Sequence, residues 1–326
     1  MPSTRDIKRR IKSVSNTKKI TKAMEMVSAS KMRKAVEAVL KTRTYANLSW
    51  ETVLNLSLMA NTANHNGKTL HPLLTKRENI KKVGIILITS NRGLCGGFNS
   101  NIINKVHKSI EKYHNIGDRE EVKAEIILIG KRGEAIHRYH GYNLIAEFPK
   151  QDYVCEVNEV LPISKFIIDE YLAGNYDKIM VGYTDFVNAA KQIPRVKQLL
   201  PVEITEEDEY LGIVGQDTRV GVDKEFLEEK GEKHLEHKEH VHEYTFEPSP
   251  EEVLNEMIPR LIEIQLFQAL LESNASEHSA RMASMHQATE AAGDMVNELT
   301  LFYNKARQAG ITREIAEISA GANALA

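Results

Sequence analysis

Thr89-Ser90-Asn91-Arg92-Gly93-Leu94-Cys95-Gly96-Gly97-Phe98-Asn99 is the first run whose residue types and spacing suggest chemistry. It follows an apolar strand and opens a helix, where a dinucleotide phosphate loop would sit. The glycines read G-x-x-G-G, not G-x-G-x-x-G, and no Gly-Lys-Ser/Thr follows. The second strand ends in Gly130-Lys131-Arg132, with no acid to hold a ribose. The pattern therefore favours a tight loop with close backbone approach over a nucleotide site. Cys95 lies near Arg92 and a helix start, a setting that activates thiols, but no Cys/His/Asn set accompanies it. His234, His237, His240 and His242 form a second cluster. Spacings of three place the first three along one helix face, where a metal would bind. Their surroundings are highly charged and poor in apolar residues, which favours a solvated insert over a metal site. Paired carboxylates, a triad and a metal cluster are all missing from the motifs, so the expectation is no catalytic residue, no cofactor and no metal.

A basic N-terminal segment is the third feature. Residues 1–43 carry 13 Lys and Arg against 3 Asp and Glu, a net of +10. Residues 200–247 carry 5 against 15, a net of −10. The formal total of −2 over 326 residues hides this asymmetry, which implies different surroundings for different parts of the chain. The basic segment suits either nucleic acid or an acidic protein surface. No aromatic precedes Tyr45, so base stacking is disfavoured. A nucleic-acid-binding coiled coil with a basic N-terminal helix is the alternative reading.

The elements that must carry these residues fall into three zones. Proline is missing between Pro2 and Pro72 and after Pro259, and glycine before Gly67. The reading is an N-terminal helix over residues 1–75, a central α/β domain over 76–247 with an acidic, His-rich insert at about 203–243, and a C-terminal helix over 248–326. Ser249 caps the last helix, with Pro250, Glu251 and Glu252 in its first turn. One seam then reads Leu254, Leu261, Gln268, Ala275, Met282, Thr289, Val296, Tyr303. Its partner seam reads Met257, Ile264, Leu271, His278, Met285, Ala292, Leu299, Ala306. A 3-4 spacing held this long predicts a left-handed supercoil with another helix, roughly 100 Å long at ~1.5 Å per residue. Breaks at Gly293 and Gly310 are the alternative.

The N-terminal helix is expected to be capped by Ser3 or Thr4 and to pair through Ile7, Ile11, Val14, Ile20, Met24, Val27, Ala35 and Val39. Between the helices, strands are predicted at 83–89, 124–129, 144–148, 178–183 and 196–200, and helices at 99–114, 132–140 and 159–172. That alternation predicts a parallel or mixed sheet covered by helices. Aromatics make up only 6% of the chain, which also leans towards helices over a β-sandwich. The N-terminus lacks the apolar core of a signal peptide, and the longest apolar runs are far below the ~18–20 residues that span a bilayer. Two cysteines, Cys95 and Cys155, cannot build a disulfide framework and lean towards a reducing compartment.

Both ends of the chain resemble one family. The run from Arg9-Arg10-Ile11-Lys12 through Ala23-Met24-Glu25-Met26-Val27-Ser28-Ala29-Ser30-Lys31-Met32 is similar to the N-terminal signature of ATP synthase gamma subunits. Ser279-Ala280-Arg281-Met282 through Tyr303-Asn304-Lys305-Ala306-Arg307-Gln308 to Ile311-Thr312-Arg313-Glu314-Ile315 is similar to their C-terminal signature. The 92–99 loop and Phe246-Glu247-Pro248-Ser249-Pro250 also look like that family. The resemblance implies an antiparallel two-helix shaft, a Rossmann-like central α/β domain and no nucleotide site or bond chemistry in this chain. It implies a rotor between a proton-driven c-ring and a head of three alpha and three beta subunits, with epsilon and delta as further partners. By matching motifs, Met24, Arg281, Gln308, Thr312 and Glu314 would contact the alpha/beta ring, and Tyr244 and Glu247 the c-ring and epsilon foot. The implied place is the cytoplasmic face of a bacterial plasma (inner) membrane, as a peripheral subunit. Two departures stand out. Asn91 replaces an acid usual before Arg92-Gly93, which removes an expected salt bridge. The 203–243 insert is longer than in typical bacterial members, and its histidines suggest a pH-sensitive contact.

Overall fold

The structure is a computed structural model that describes residues 3–63, 71–75, 77, 80–114, 122–151, 157, 160–202, 247 and 249–325. Tyr244, Cys155 and the whole 203–243 insert with its four histidines lie outside the described residues. Five helices and five strands follow in chain order among the described residues: α1 Thr4–Ala63, β1 Lys82–Ile88, α2 Phe98–His114, β2 Lys123–Ile129, α3 Ala135–His140, β3 Asn143–Phe148, α4 Leu161–Leu172, β4 Lys178–Phe186, β5 Gln192–Leu200 and α5 Pro250–Leu325. The chain separates into two compact units, one of residues 1–29 with 281–326 and one of residues 30–280.

In the larger unit the strands lie in the order β3-β2-β1-β4-β5. β1 is parallel to both β2 and β4, β2 is parallel to β3, and β5 runs antiparallel to β4. The mixed sheet expected from strand–helix alternation is therefore present. Both faces are covered, which is why β1 reads as an unbroken apolar run instead of alternating. Val83, Ile85 and Leu87 pack with Ile102, Val106 and Ile110 of α2 and Ile136 of α3. Ile86 and Ile88 face the other side, among Ile163 and Ile167 of α4, Leu254, Ile258, Leu261, Ile262 and Leu266 of α5, and Val39 of α1. Burying each such side chain stabilises by roughly 1.5–3 kcal/mol, so the two long helices are part of this core.

The strand limits differ from expectation at one end of the sheet. β4 continues to Phe186 and β5 begins at Gln192, because Tyr183 to Phe186 pair with Arg195 to Gln192 in a hairpin. Polar Thr184 and Asp185, and Pro194, hid this pairing from a reading based on apolar runs. Pro194 is tolerated because β5 is an edge strand. Asn188 closes the turn by accepting the backbone N–H groups of Ala190 and Lys191.

Caps agree with the sequence. Ser3 Oγ accepts the Asp6 N–H at 3.2 Å, and Ser249 Oγ accepts the Glu252 N–H at 3.3 Å. α5 is continuous through Gly293 and Gly310.

On the α2–α3 surface, the rings of His107 and His140 stack with centroids 3.8 Å apart, and His107 Nδ1 lies 2.9 Å from the Tyr142 hydroxyl. Burial first, and then the neighbouring His107, hold His140 below the ordinary imidazole range, while Glu111 pulls the other way. A folded pKa below the unfolded one means that the contribution to stability is present above the ordinary value near ~6.5 and is lost as pH falls through the folded value. NMR titration of the His140 ring protons is expected to give a midpoint below ~6.5. A midpoint at or above it contradicts this environment.

Candidate functional site

The smaller unit is a pair of helix segments held by a seam. Glu25 of α1 lies 3.3 Å from His286 of α5, and Thr289 Oγ1 donates to Thr21 Oγ1 at 2.8 Å. At Gly293, an added Cβ would stand 3.0 Å from Lys18 Nζ. Numbers fall along α1 as they rise along α5, so the two segments run antiparallel. Lys22 also pairs with Glu25 at 2.9 Å. The Lys22 hydrogen bond, followed by His286, keeps the Glu25 carboxyl below its ordinary range against the opposing effect of burial.

The α5 seam positions predicted from the heptad are all buried or half-buried within this unit, from Met282 and Met285 to Tyr303 and Ala306. The α1 stripe needs correction. Ile20 is 61% exposed and Val27 55% exposed, whereas Ile7, Ile11, Val14 and Met24 are buried or half-buried. The seam keeps its 3-4 spacing through polar Thr21, Glu25 and Ser28, which are half-buried or buried. An apolar-only reading stepped off the seam onto the outer face. Hydrogen bonds across the seam engage Thr21 and the Oε1 atom of Glu25 and fix the register, while Glu25 Oε2 is buried without a hydrogen-bond partner among the described residues.

The outer surface is what remains for partners. Ile20, Met26 and Val27 on α1, and Leu301, Phe302, Ile311, Ile315 and Ile318 on α5, are exposed. Gln308, Thr312 and Glu314 lie in a stretch of α5 where every residue from 307 to 320 is exposed. Met24 is half-buried, Arg281 is only 8% exposed, and Glu247 is exposed. This surface is apolar and flanked by the exposed lysines Lys18, Lys19 and Lys22. Among the described residues, no group of three or more His, Cys, Asp and Glu is placed to hold a metal ion.

The glycine loop in the larger unit is tied internally. Asn99 Oδ1 accepts the Ser90 N–H at 3.0 Å, and Asn99 Nδ2 donates to Ser90 Oγ at 2.7 Å and to Cys95 Sγ at 3.3 Å. Cys95 is buried inside this knot. Asn91, the departure from an acid, bridges two other loops: it donates to the Lys150 carbonyl at 2.6 Å and accepts the Lys131 N–H at 3.4 Å. An amide does both, whereas a carboxylate only accepts. Sequence reasoning missed the buried ion pair here, Lys150 Nζ to Glu277 Oε2 at 2.6 Å, with side chains 2% and 7% exposed. The partners stand 127 residues apart, and neither belongs to a motif of charged groups.

Compared with known proteins, the chain matches the family described as ATP synthase over residues 3–325. ATP synthase gamma chains of Pelotomaculum thermopropionicum and Chloroflexus aurantiacus are 41% and 39% identical to it, aligned over 100% of this chain and 100% and 99% of theirs. The gamma chain of Legionella pneumophila is 37% identical over the full length of both. Among solved structures, one chain of the Tetrahymena thermophila mitochondrial ATP synthase central stalk and c-ring aligns with a TM-score of 0.55 and 22% identity, over 82% of this chain and 99% of that one. A chain of the Euglena gracilis mitochondrial ATP synthase OSCP/F1/c-ring assembly aligns with a TM-score of 0.60 and 16% identity, over 99% of this chain and 94% of that one. These structures share the fold.

Proposed function

This chain belongs to the ATP synthase gamma-chain family, and from that premise we propose that it is the central-stalk rotor of an F-type ATP synthase. It carries torque between a proton-driven c-ring and an alpha/beta catalytic head and has no active site of its own. The observation that carries this reading is the antiparallel pairing of α1 and α5 through Glu25–His286 and Thr21–Thr289. Two hydrogen-bonded helices resist twisting better than one. Their outer face stays free to meet a surrounding ring, and an asymmetric shaft turning there moves each catalytic site through different affinities in turn.

Met24, Gln308, Thr312 and Glu314 are proposed to meet the alpha/beta ring, with the exposure of the last three supporting such contact. For Arg281 the same role requires the assembled complex to present a side chain that is buried here. Glu247, exposed, and Tyr244 are proposed for the foot that meets the c-ring and epsilon subunit. Exposed Lys18, Lys19 and Lys22 add a cationic surface that attracts acidic loops of the head at long range. Among the described residues, no helix is long and apolar enough to cross a membrane. The proposed place is peripheral, through the c-ring, on the cytoplasmic face of a bacterial plasma membrane.

The test is purification of the full chain under mild conditions from its host, with alpha and beta subunits expected in fixed ratio to it. Recovery without them, with retention on DNA that falls steeply with salt, would overturn the reading in favour of a nucleic-acid-binding coiled coil.

A further inference from the structure

In a doubly wound sheet, ligands bind outside the carboxyl ends of the strands where the strand order reverses. Here that point lies between β1 and β4, since β2 and β3 extend to one side of β1 and β4 to the other. α5 covers this edge. Ser276 Oγ donates to the Thr184 carbonyl of β4 at 3.1 Å. Ser279 Oγ donates to the Ala189 carbonyl just beyond β4 at 2.7 Å and accepts from Gln192 Nε2 at 3.2 Å. One residue from Ser276, Glu277 receives Lys150, two residues past the end of β3. The Lys150 ammonium also lies 5.7 Å from the Phe98 ring at the start of α2, and its carbonyl is held by Asn91. Thr89 and Ser90, at the end of β1, are fully covered.

The residues of α5 at this crossing are unusual for a helix packed on a sheet. Ser273, Asn274, Ser276, Glu277, His278 and Ser279 are all buried, whereas the preceding turns of α5 present Leu254, Ile258, Leu261, Ile262 and Leu266 to the core. Apolar packing resists rotation through shape alone, since the hydrophobic effect itself is non-directional. Hydrogen bonds weaken steeply with angle, so each one defines a rotational setting of the helix. The polar contacts reach the helix from two directions, β3 through Lys150 and β4 with its turn through the two serines. A rotation of α5 about its own axis in either sense stretches one set.

We propose that the Lys150–Glu277 pair, with Ser276 and Ser279, is the joint by which the α/β domain grips α5 against turning, the place where torque passes between domain and shaft helix. Lys150 and Glu277 are positioning residues. The crevice that binds a ligand in other doubly wound folds holds a helix here, with a carboxylate and an ammonium supplying each other's counter-charge. This inference rests on the rotor reading.

The test uses the assembled ATP synthase in inverted membrane vesicles and reads protons pumped per ATP hydrolysed. The double variant Lys150→Met with Glu277→Leu removes the directional contact and keeps the volume. It is expected to assemble and hydrolyse ATP within about two-fold of the parent while pumping per ATP falls at least about three-fold. The charge-swapped variant Lys150→Glu with Glu277→Lys is expected to recover at least half of the lost ratio, which a merely structural role would not require. Should the apolar variant fail to assemble, Ser276→Ala with Ser279→Ala is read the same way, with a smaller drop in the same ratio expected. An assembled variant of either kind that pumps at the parental ratio overturns the joint. A parent chain that neither assembles with alpha and beta subunits nor supports pumping overturns the rotor reading instead.

Discussion

Gly130→Ala will destabilise the α/β domain by at least about 3 kcal/mol, lowering its melting temperature by roughly 6–12 °C at ~2–4 °C per kcal/mol. Gly130 follows β2 and has φ +98, a region that residues with a Cβ rarely enter. Strain of that kind costs on the order of 1–3 kcal/mol by itself. The larger effect is steric. A Cβ at this position would overlap the Thr89 carbonyl oxygen and stand 2.9 Å from its carbon. Those are backbone atoms and cannot rotate away. Thr89 is held in place by its own N–H bond to Ile129 O at 2.8 Å and by its hydroxyl, which donates to Gly130 O at 2.8 Å. Relief would require separating the ends of β1 and β2. The control is Gly141→Ala, at φ +74 with nothing within 4 Å of the added carbon. It carries only the conformational cost, about 1–2 kcal/mol. Thermal melts of the two variants that coincide would contradict the close approach.

Glu277→Ala will cost about 3–5 kcal/mol, because it leaves the Lys150 ammonium in a site only 2% exposed with its counter-charge gone. Against a typical total of about 5–15 kcal/mol, that is a large fraction. The pair itself contributes far less than this. Its Coulombic attraction is offset by the cost of taking two charges out of water, so replacing both partners with Met and Leu is expected to come within about 1–2 kcal/mol of the parent. Chemical denaturation of the singles and the double gives the coupling directly. A single variant that loses less than about 1 kcal/mol would mean that water reaches the ammonium. The distinction bears on the proposed joint: an ion pair that adds little stability would act there through the direction it imposes on α5.

The C-terminal helix was the most legible part of the chain. Its seam from Met282 to Tyr303 and from Met285 to Ala306 is buried or half-buried, including polar Thr289, whereas from 261 to 279 α5 is covered on all sides by the α/β core and the heptad positions do not stand out. Heptad spacing survived there because most seam residues are apolar. On α1 the same spacing passes through Thr21, Glu25 and Ser28, so the apolar pattern pointed to Ile20 and Val27, which face outward. Their exposure is compatible with the partner contact proposed above. β1 and β2 were readable to within a residue, since strands covered on both faces are plain apolar runs. The β4–β5 hairpin was cut short because Asp185 and Arg195 are polar; they form an ion pair at 2.8 Å across the two strands. Lys150 and Glu277 could not be found in advance. A lysine after Phe148-Pro149 and a glutamate in a polar helical run look like solvated residues until tertiary packing brings them together. The residues proposed to touch partners came from the family resemblance, since single exposed side chains such as Gln308 and Thr312 carry no pattern of their own.

As a rotor, this chain must turn inside the alpha/beta head. The most direct measurement immobilises the alpha/beta head by its outer surface, attaches a visible probe to an engineered cysteine at exposed Tyr139 on the α/β domain, and supplies ATP. Continuous rotation of the probe in one direction, stopping when ATP is withdrawn, is the predicted result. A probe that stays still while the same complexes hydrolyse ATP would contradict it.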